Sequence, residues 1–440
     1  MDVTGALLPV LQNWSCHNCG GCCREHEINI SVAEKKQIEQ QSWNSSHGVP
    51  GDRPLVVTLG DGWRLNHRDD GACVFLDESG LCRIHSRFGE PAKPLACRLY
   101  PYAVHPAGSG VTVSLRFSCP SVVSNLGSSV SSQREIVESL CREVVPAEFG
   151  AHRTFLFSHG KEVGWADFRI LLAFMERGLS DITLSFRERL LRTLAWMQFL
   201  EGAAPEMLSA ESLGSLLKVL QEAARRARVD RAFGSKPPNS IARVMFRQFV
   251  AQLIRHDTRA VAASGWLHRL NSLSEGLRYT LGMGRIPLLE DPDSVHVAFG
   301  RDHGSGTLRA SFAMAEQLCQ DVPDGVDELF GRYFHVKLQG LHFCGPAFYN
   351  YGILDGFRSL ALMYPATIWT AAVRALQAGE QAIRLADIHS ALAILDHNFG
   401  YSPVLGMRSS RNRIRQLSRL QQIENLCAHY GGGESVDSGD

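Results

Sequence analysis

Cys16-His17-Asn18-Cys19-Gly20-Gly21-Cys22-Cys23 sets four thiols into one short stretch, and its reading decides what the first part of the chain can be. Thiolates at this spacing converge to hold a metal or a cluster, because each C-x-x-C pair can wrap a metal centre from a tight turn. Four more cysteines follow singly at Cys73, Cys82, Cys97 and Cys119, so eight of the 12 lie within the first 120 residues. The other four, Cys141, Cys319, Cys344 and Cys427, are scattered through the rest of the 440-residue chain. As isolated cysteines they read as small hydrophobes of the core.

Eight thiolates suit two four-coordinate sites, or one cluster with residues to spare. Adjacent side chains such as Cys22 and Cys23 diverge and do not easily serve one mononuclear ion. Both fit if they serve two sites, or if one is structural. Cys16, Cys19 and Cys22 repeat the C-x-x-C-x-x-C spacing of bacterial ferredoxins that hold a 4Fe–4S cluster, and Cys119-Pro120 supplies the Cys-Pro that completes that pattern. Zinc competes, since four-cysteine zinc sites also use C-x-x-C pairs. His17, His26, His67, His85 and His105 are further donors, read more readily as surface or supporting residues. A c-type haem is excluded in its usual form because Cys19 is followed by Gly20.

The bulk numbers agree with a globular metalloprotein. Basic and acidic residues balance at 45 each, and 45% of the chain is apolar. No global charge therefore draws it to nucleic acid or to a membrane surface. Met1 to Trp14 lacks the layout of a signal peptide, so the expected location is cytoplasmic, where thiols stay reduced and free for metal. The longest uncharged apolar run, between Arg358 and Arg374, is interrupted by Pro365 and is too short to span a bilayer.

The expected fold is α+β and mainly α: an irregular cysteine-rich metal-binding module with short strands at residues 1–125, a larger α-helical domain at 126–430, and a disordered tail at 431–440. In the module, Ser31 with Glu34 forms a capping box opening a helix to about Gln41. Leu55–Leu59 and Gly62–Leu65 flank Gly60-Asp61 as a hairpin, and Val111–Phe117 alternates like a half-buried strand. Asp69-Asp70-Gly71 and Asp77-Glu78-Ser79-Gly80 are turns that precede Cys73 and Cys82. The serine-rich stretch Ser121–Ser132 reads as a linker. Beyond it, three- and four-residue spacing predicts helices over Phe168–Arg177, Leu184–Leu200, Ser209–Arg228, Ile241–His256, Asp327–Leu341, Phe357–Leu376, Leu385–Leu395 and Asn412–His429. Pro287–Thr307 reads as a long loop.

The cysteine series with its flanking residues resembles the YkgJ-type CxxCxxCC cysteine-cluster family, a zinc- or iron-chelating domain. The carrying residues are Cys16, Cys19, Cys22 and Cys23, then Cys73-Val74-Phe75-Leu76-Asp77, Leu81-Cys82-Arg83-Ile84-His85, Cys97-Arg98-Leu99-Tyr100-Pro101 and Ser118-Cys119-Pro120. The resemblance covers about residues 14–122 and implies that the metal ligands are Cys16, Cys19, Cys22, Cys23, Cys73, Cys82, Cys97 and Cys119. The order of the later motifs is similar to the flagellin lysine N-methylase branch, which would imply S-adenosylmethionine as cofactor and a protein substrate. No glycine-rich loop follows a strand as such a cofactor commonly requires. Gly282-Met283-Gly284 and Gly300–Gly306 read as turns, and the C-x-x-x-C-x-x-C spacing of radical enzymes is absent.

Three function readings follow: a structural or redox metal site binding iron–sulfur or zinc; a protein lysine N-methylase; or a metal-handling interaction protein without catalysis. Arg98 is expected beside the thiolates, offsetting their charge, with Tyr100 packed under them. Arg408, Arg411, Arg413, Arg415 and Arg419 form a basic stretch read as a solvated helix face.

Overall fold

The computed structural model describes residues 5–108, 110–146, 154–158, 160–202, 210–227, 236–254, 276–287, 289 and 310–431. It is mainly helical with small antiparallel sheets, the α+β class expected. The module opens with α1 (Cys22–Glu25), β1 (Asn29–Ile30) and α2 (Val32–Gln40). The capping box is present: Ser31 Oγ accepts from the Glu34 amide at 3.2 Å while the Glu34 carboxylate accepts from the Ser31 amide at 2.7 Å. The hairpin forms as β2 (Val56–Leu59) and β3 (Gly62–Leu65), with β1 added on the other side of β3.

After α3 (Arg83–Phe88) and α4 (Leu95–Leu99), β4 (Tyr102–Ala107) pairs with β5 (Gly110–Leu115). Sequence reading found β5 but not its partner, because His105-Pro106 breaks the alternation of β4. Short α5 (Pro120–Val123) and α6 (Arg134–Val144) follow. The stretch Ser121–Ser132 is therefore no linker. Val122, Val123 and Val130 are fully buried, and their apolar contribution outweighs the serines around them.

A second hairpin, β6 (Thr154–Ser158) and β7 (Lys161–Gly164), leads into α7 (Trp165–Leu179), α8 (Phe186–Gly202), α9 (Ala210–Ala227) and α10 (Ser240–Ile254). Beyond these come α11 (Phe312–Leu318), α12 (Val326–Gln339), α13 (Ile353–Ala361), α14 (Met363–Gln377), α15 (Leu385–Asn398), α16 (Arg408–Arg419) and α17 (Gln422–His429). Two expected helices are split. Phe357–Leu376 breaks at Leu362, because Pro365 has no N–H to give the carbonyl of Ala361 and its ring would crowd that oxygen. Asn412–His429 breaks at Gln421, which adopts a left-handed φ of 53°. Most of Pro287–Thr307, all of Gly300–Gly306 and 432–440 of the tail lie outside the described residues. Gly282, at φ 64°, ends a helical turn as expected.

The chain builds two hydrophobic cores of unequal size. The smaller contains Ile30, Ile38, Val49, Leu65, Cys73, Val74, Phe75 and Ile84. Eight buried apolar side chains are a thin core for a segment running from Cys22 to Leu99, and segments of that kind are ordinarily stapled by a metal or by cross-links. The larger core extends from Ala6 to Tyr430 and takes in β4–β5, Phe117, Cys119, Val122 and Val123 together with the helices. The cysteine module thus reaches into the helical core through its last third and through Ala6 and Leu8 at its start.

That joint is built from buried polar bonds. Arg332, on α12, donates to the carbonyls of Val122 at 2.8 Å and Val123 at 2.5 Å and to Gln12 Oε1 at 2.9 Å. Asp396, on α15, accepts from the Phe117 amide at 2.6 Å and pairs with Lys337 at 2.8 Å. Gly340 lies so close to β5 that a Cβ there would stand 2.6 Å from Ser114 Cα.

Candidate metal centre

Each cysteine is presented by a turn or by the start of a short helix. In the first quartet, Asn18 and Gly20 take left-handed φ of 55° and 70°, which folds the chain between Cys16 and Cys22 into a tight turn. Cys22 begins α1, Cys82 and Cys119 cap α3 and α5, and Cys97 lies within α4. The Asp70 carboxylate accepts from the Ala72 amide at 3.1 Å, shaping the turn before Cys73. Asp77 Oδ1 accepts from the amides of Ser79 and Leu81 at 2.9 and 2.8 Å, shaping the turn before Cys82.

The quartet and the later cysteines are locked together by backbone. The Cys73 amide donates to the Cys23 carbonyl at 2.7 Å. Gly80, at φ 82°, sits against the quartet so closely that a Cβ would lie 2.0 Å from the Asn18 carbonyl oxygen. Glu34 extends its role beyond the cap of α2, accepting from the Leu95 amide at 2.7 Å and so anchoring the helix that carries Cys97.

Electrostatic coupling shows which thiols are neighbours. Cys19 feels Cys16 and Cys22, and Cys119 feels Cys19 and Cys22. On the other side, Cys73 feels Cys97, Cys82 and Cys22, while Cys97 feels Cys22 and Cys82. Cys22 is common to both groups and exchanges a side-chain hydrogen bond with Cys23. Cys23, Cys82 and Cys97 pack against the smaller core that contains Cys73. All eight cysteines are thus joined in one neighbourhood with two lobes. Among the described residues, no three His, Cys, Asp or Glu side chains converge closely enough in this arrangement to hold one ion.

The chemistry of the donor set nevertheless fits a thiophilic metal. All eight cysteines are free thiols. Burial, with the neighbouring thiols adding to it, pushes the pKa values of Cys73, Cys97 and Cys119 up to about 12. Cys22 is driven well above its ordinary value by its bond to Cys23 and then by burial. Without a cation such a group holds its protons, and a metal ion displaces them on binding. Backbone amides already face the sulfurs: Gly21 that of Cys19, Phe75 that of Cys73, and Val122 with Ser121 that of Cys119. Amide–sulfur bonds of this kind stabilise bound thiolates and tune a cluster.

The other expected donors go elsewhere. His17 Nδ1 is 2.7 Å from the Ser15 carbonyl, His85 is exposed, and His67 Nδ1 is 3.1 Å from Arg64 Nη1. His26 stacks on His397, and His105 stacks on His342 in the larger core. Arg98 directs its guanidinium to Glu143 on α6, with Nη1 3.0 Å from Oε1, and so fastens α4 to α6 instead of facing the thiols. Tyr100 does lie beside the centre, where Cys119 and Glu25 act on its hydroxyl. Cys141, Cys319, Cys344 and Cys427 are core residues, each no more than 1% exposed. In the basic stretch, Arg411, Arg413 and Arg415 bind Tyr349, Gln252 and Asp355 within the chain.

Sequence reading missed the polar joint around Arg116, Lys337, His342 and Asp396. The sequence signal that could have found it was Lys337 itself, a charged residue on the apolar stripe of α12.

No curated protein and no solved structure matches the chain. No comparison carries the likeness to the flagellin methylase branch. Among the described residues, no helix is long and apolar enough to cross a membrane. The family comparison is specific to the cysteine module: residues 15–120 match the model of the CxxCxxCC family, whose description reads "Putative zinc- or iron-chelating domain".

Proposed function

We propose that this chain is a cysteine-cluster metalloprotein in which Cys16, Cys19, Cys22, Cys23, Cys73, Cys82, Cys97 and Cys119 hold an iron–sulfur cluster or zinc in a structural or redox role. The metal unit is residues 1–125, and the helices of 126–430 carry it. The observation that supports this most is the two-lobed neighbourhood of eight free thiols with backbone amides already turned toward three of the sulfurs. A bound metal would neutralise thiolates that burial otherwise disfavours and would staple the thin core of the module.

Anaerobic purification followed by metal and sulfide analysis tests the reading. Iron with acid-labile sulfide and absorbance near ~400 nm identifies a cluster; zinc in fixed stoichiometry with no colour identifies a zinc site. Cys22→Ser, which removes the thiol common to both lobes, is expected to lower metal content in either case. Protein that retains neither metal, or a C22S variant loaded like the parent, would overturn it.

A further inference from the structure

Arg116 leaves β5 at the seam between the cysteine module and α15. Its guanidinium carbon is 3.9 Å from the centre of the Tyr401 ring and 5.7 Å from that of Tyr100. Among the described residues no carboxylate pairs with it. Its hydrogen bond is a 3.5 Å donation from Nη2 to the His397 carbonyl, and its buried Nε has no partner.

The nearby acids are already engaged. Asp396 holds Lys337, the Tyr333 hydroxyl and the Phe117 amide, and Glu25 lies 3.4 Å from His397 Nδ1. Around the guanidinium stand flat rings. His26 stacks on His397 with centroids 5.4 Å apart and planes 7° apart, and tilts against Tyr100 at 4.9 Å. His342 lies 5.0 Å from Tyr401 on the inner side. The Tyr401 hydroxyl and His26 Nε2 are buried without hydrogen-bond partners. Tyr100, Arg116, His26, His397, Gly400 and Tyr401 are each only partly buried, while Arg116 Nε, the Tyr401 hydroxyl and His26 Nε2 lie beneath the surface.

A half-buried guanidinium with no acid, flanked by aromatic faces and by an unpartnered hydroxyl, is arranged for a planar anion. Arginine presents its N–H groups as a fork that matches two coplanar oxygens, and aromatic faces hold the fork without competing for those donors. A tetrahedral dianion suits the place less well. Asp396 and Glu25 are close by, Lys337 is committed to Asp396, and Arg116 alone has charge to spare. Burial, then Arg116 and His397, keep His26 well below its ordinary value, so its ring is a neutral hydrogen-bonding wall.

We propose that this seam is a binding site for a carboxylate, gripped by the Arg116 guanidinium between Tyr100 and Tyr401, with the Tyr401 hydroxyl donating to the second oxygen. The site stands independently of which metal the thiols hold. Its carboxylate comes from a small organic acid or from a peptide C-terminus, and both present the same planar group.

The test is calorimetric titration of the full-length, metal-loaded protein with acetate, succinate, trialanine and trialanine amide, with inorganic phosphate for comparison. Saturable binding of at least one carboxylate is expected. Succinate or acetate alone points to a free acid; trialanine without its amide points to a chain terminus. Arg116→Gln is expected to weaken binding by about tenfold or more, the loss typical of a charge-assisted pair. Arg116→Lys, which keeps the charge but not the fork, should also weaken it, and Tyr401→Phe should weaken it by about threefold to tenfold. Y401F removes a single oxygen and decides the matter if R116Q fails to fold. The proposal is overturned by the absence of any carboxylate binding below about 100 mM, by variants that bind like the parent, or by phosphate binding more tightly than every carboxylate.

Discussion

Asp396→Ala removes the acid at the centre of the buried joint, and its cost follows from the bonds that the carboxylate makes. Asp396 is 0% exposed; Oδ1 takes the Lys337 ammonium at 2.8 Å and the Tyr333 hydroxyl at 3.0 Å, while Oδ2 takes the Phe117 amide at 2.6 Å. Lys337, equally buried, would keep only the Leu115 carbonyl and His342 Nδ1, each at 3.2 Å. Burial already lowers the lysine's proton affinity and Asp396 opposes that, so without the acid burial acts unchecked. Removing one member of a buried pair costs about 3–5 kcal/mol, and orphaning the Phe117 N–H costs about 1–3 kcal/mol more. Against a typical stability of about 5–15 kcal/mol, D396A should unfold at much lower urea or be partly unfolded in water. Lys337→Met with Asp396→Asn removes both charges but keeps an acceptor for Phe117, and should cost less than half as much. Urea titration at pH 7, followed by far-ultraviolet circular dichroism and tryptophan fluorescence, measures both. A D396A protein within about 1 kcal/mol of the parent would refute the reasoning, as would a double variant as unstable as D396A. Phe117 lies two residues before Cys119, so D396A should also surrender metal to a chelator faster.

The joint and the module make three further predictions. Gly80→Ala forces a left-handed backbone on alanine at about 1–2 kcal/mol and drives a methyl to 2.0 Å from the Asn18 carbonyl oxygen, so metal content and the unfolding midpoint should both fall; full loading with an unchanged midpoint would contradict this. His105 and His389 are held down to about 4, mainly by burial, against about 6.5 in an unfolded chain. The folded state therefore resists protonation that the unfolded state accepts: their stabilisation is intact above pH 6.5 and is lost as pH falls toward 4, by at most about 3 kcal/mol each. A melting temperature flat between those values would exclude it. Arg98→Ala should cost less than about 1 kcal/mol, since its partner Glu143 is well exposed, and metal content should hold; metal loss would instead place Arg98 at the thiolates.

What was legible in the sequence was whatever local chemistry dictates. Ser31 and Glu34 specify their own cap, Gly60-Asp61 its own hairpin, and the long amphipathic helices their own periods. The turns before Cys73 and Cys82 were legible because Asp70 and Asp77 bond amides two to four residues away. What was not legible depends on partners distant in sequence. β4 exists because β5 pairs with it, and Ser121–Ser132 is ordered because Arg332 claims the carbonyls of Val122 and Val123. Arg98 was read by its neighbour Cys97, yet it is placed by Glu143, 45 positions away. Arg116 carried no signal, since its meaning comes from Tyr401 and His397, which reach it only in the folded chain.

Stoichiometry can decide what the adjacency of Cys22 and Cys23 means. Cys22 couples to Cys19 and to Cys119, a residue of the larger core, and also to Cys73 and Cys97 of the smaller core; Cys23 packs with the latter group alone. If the lobes are separate four-coordinate centres, Cys73→Ser empties one and spares the other, so bound metal should fall by about half. Cys119→Ser should do the same from the opposite side, and the two losses should add. If the lobes enclose one cluster, either substitution empties the whole site. The placement of Cys119 in the larger core, against Cys73, Cys23, Cys82 and Cys97 in or on the smaller one, favours the first outcome, because removing Cys119 leaves the packing that presents the other group undisturbed. Complete metal loss from both C73S and C119S, with the helices still folded, would defeat the two-centre reading and make Cys22 and Cys23 neighbours within a single cluster.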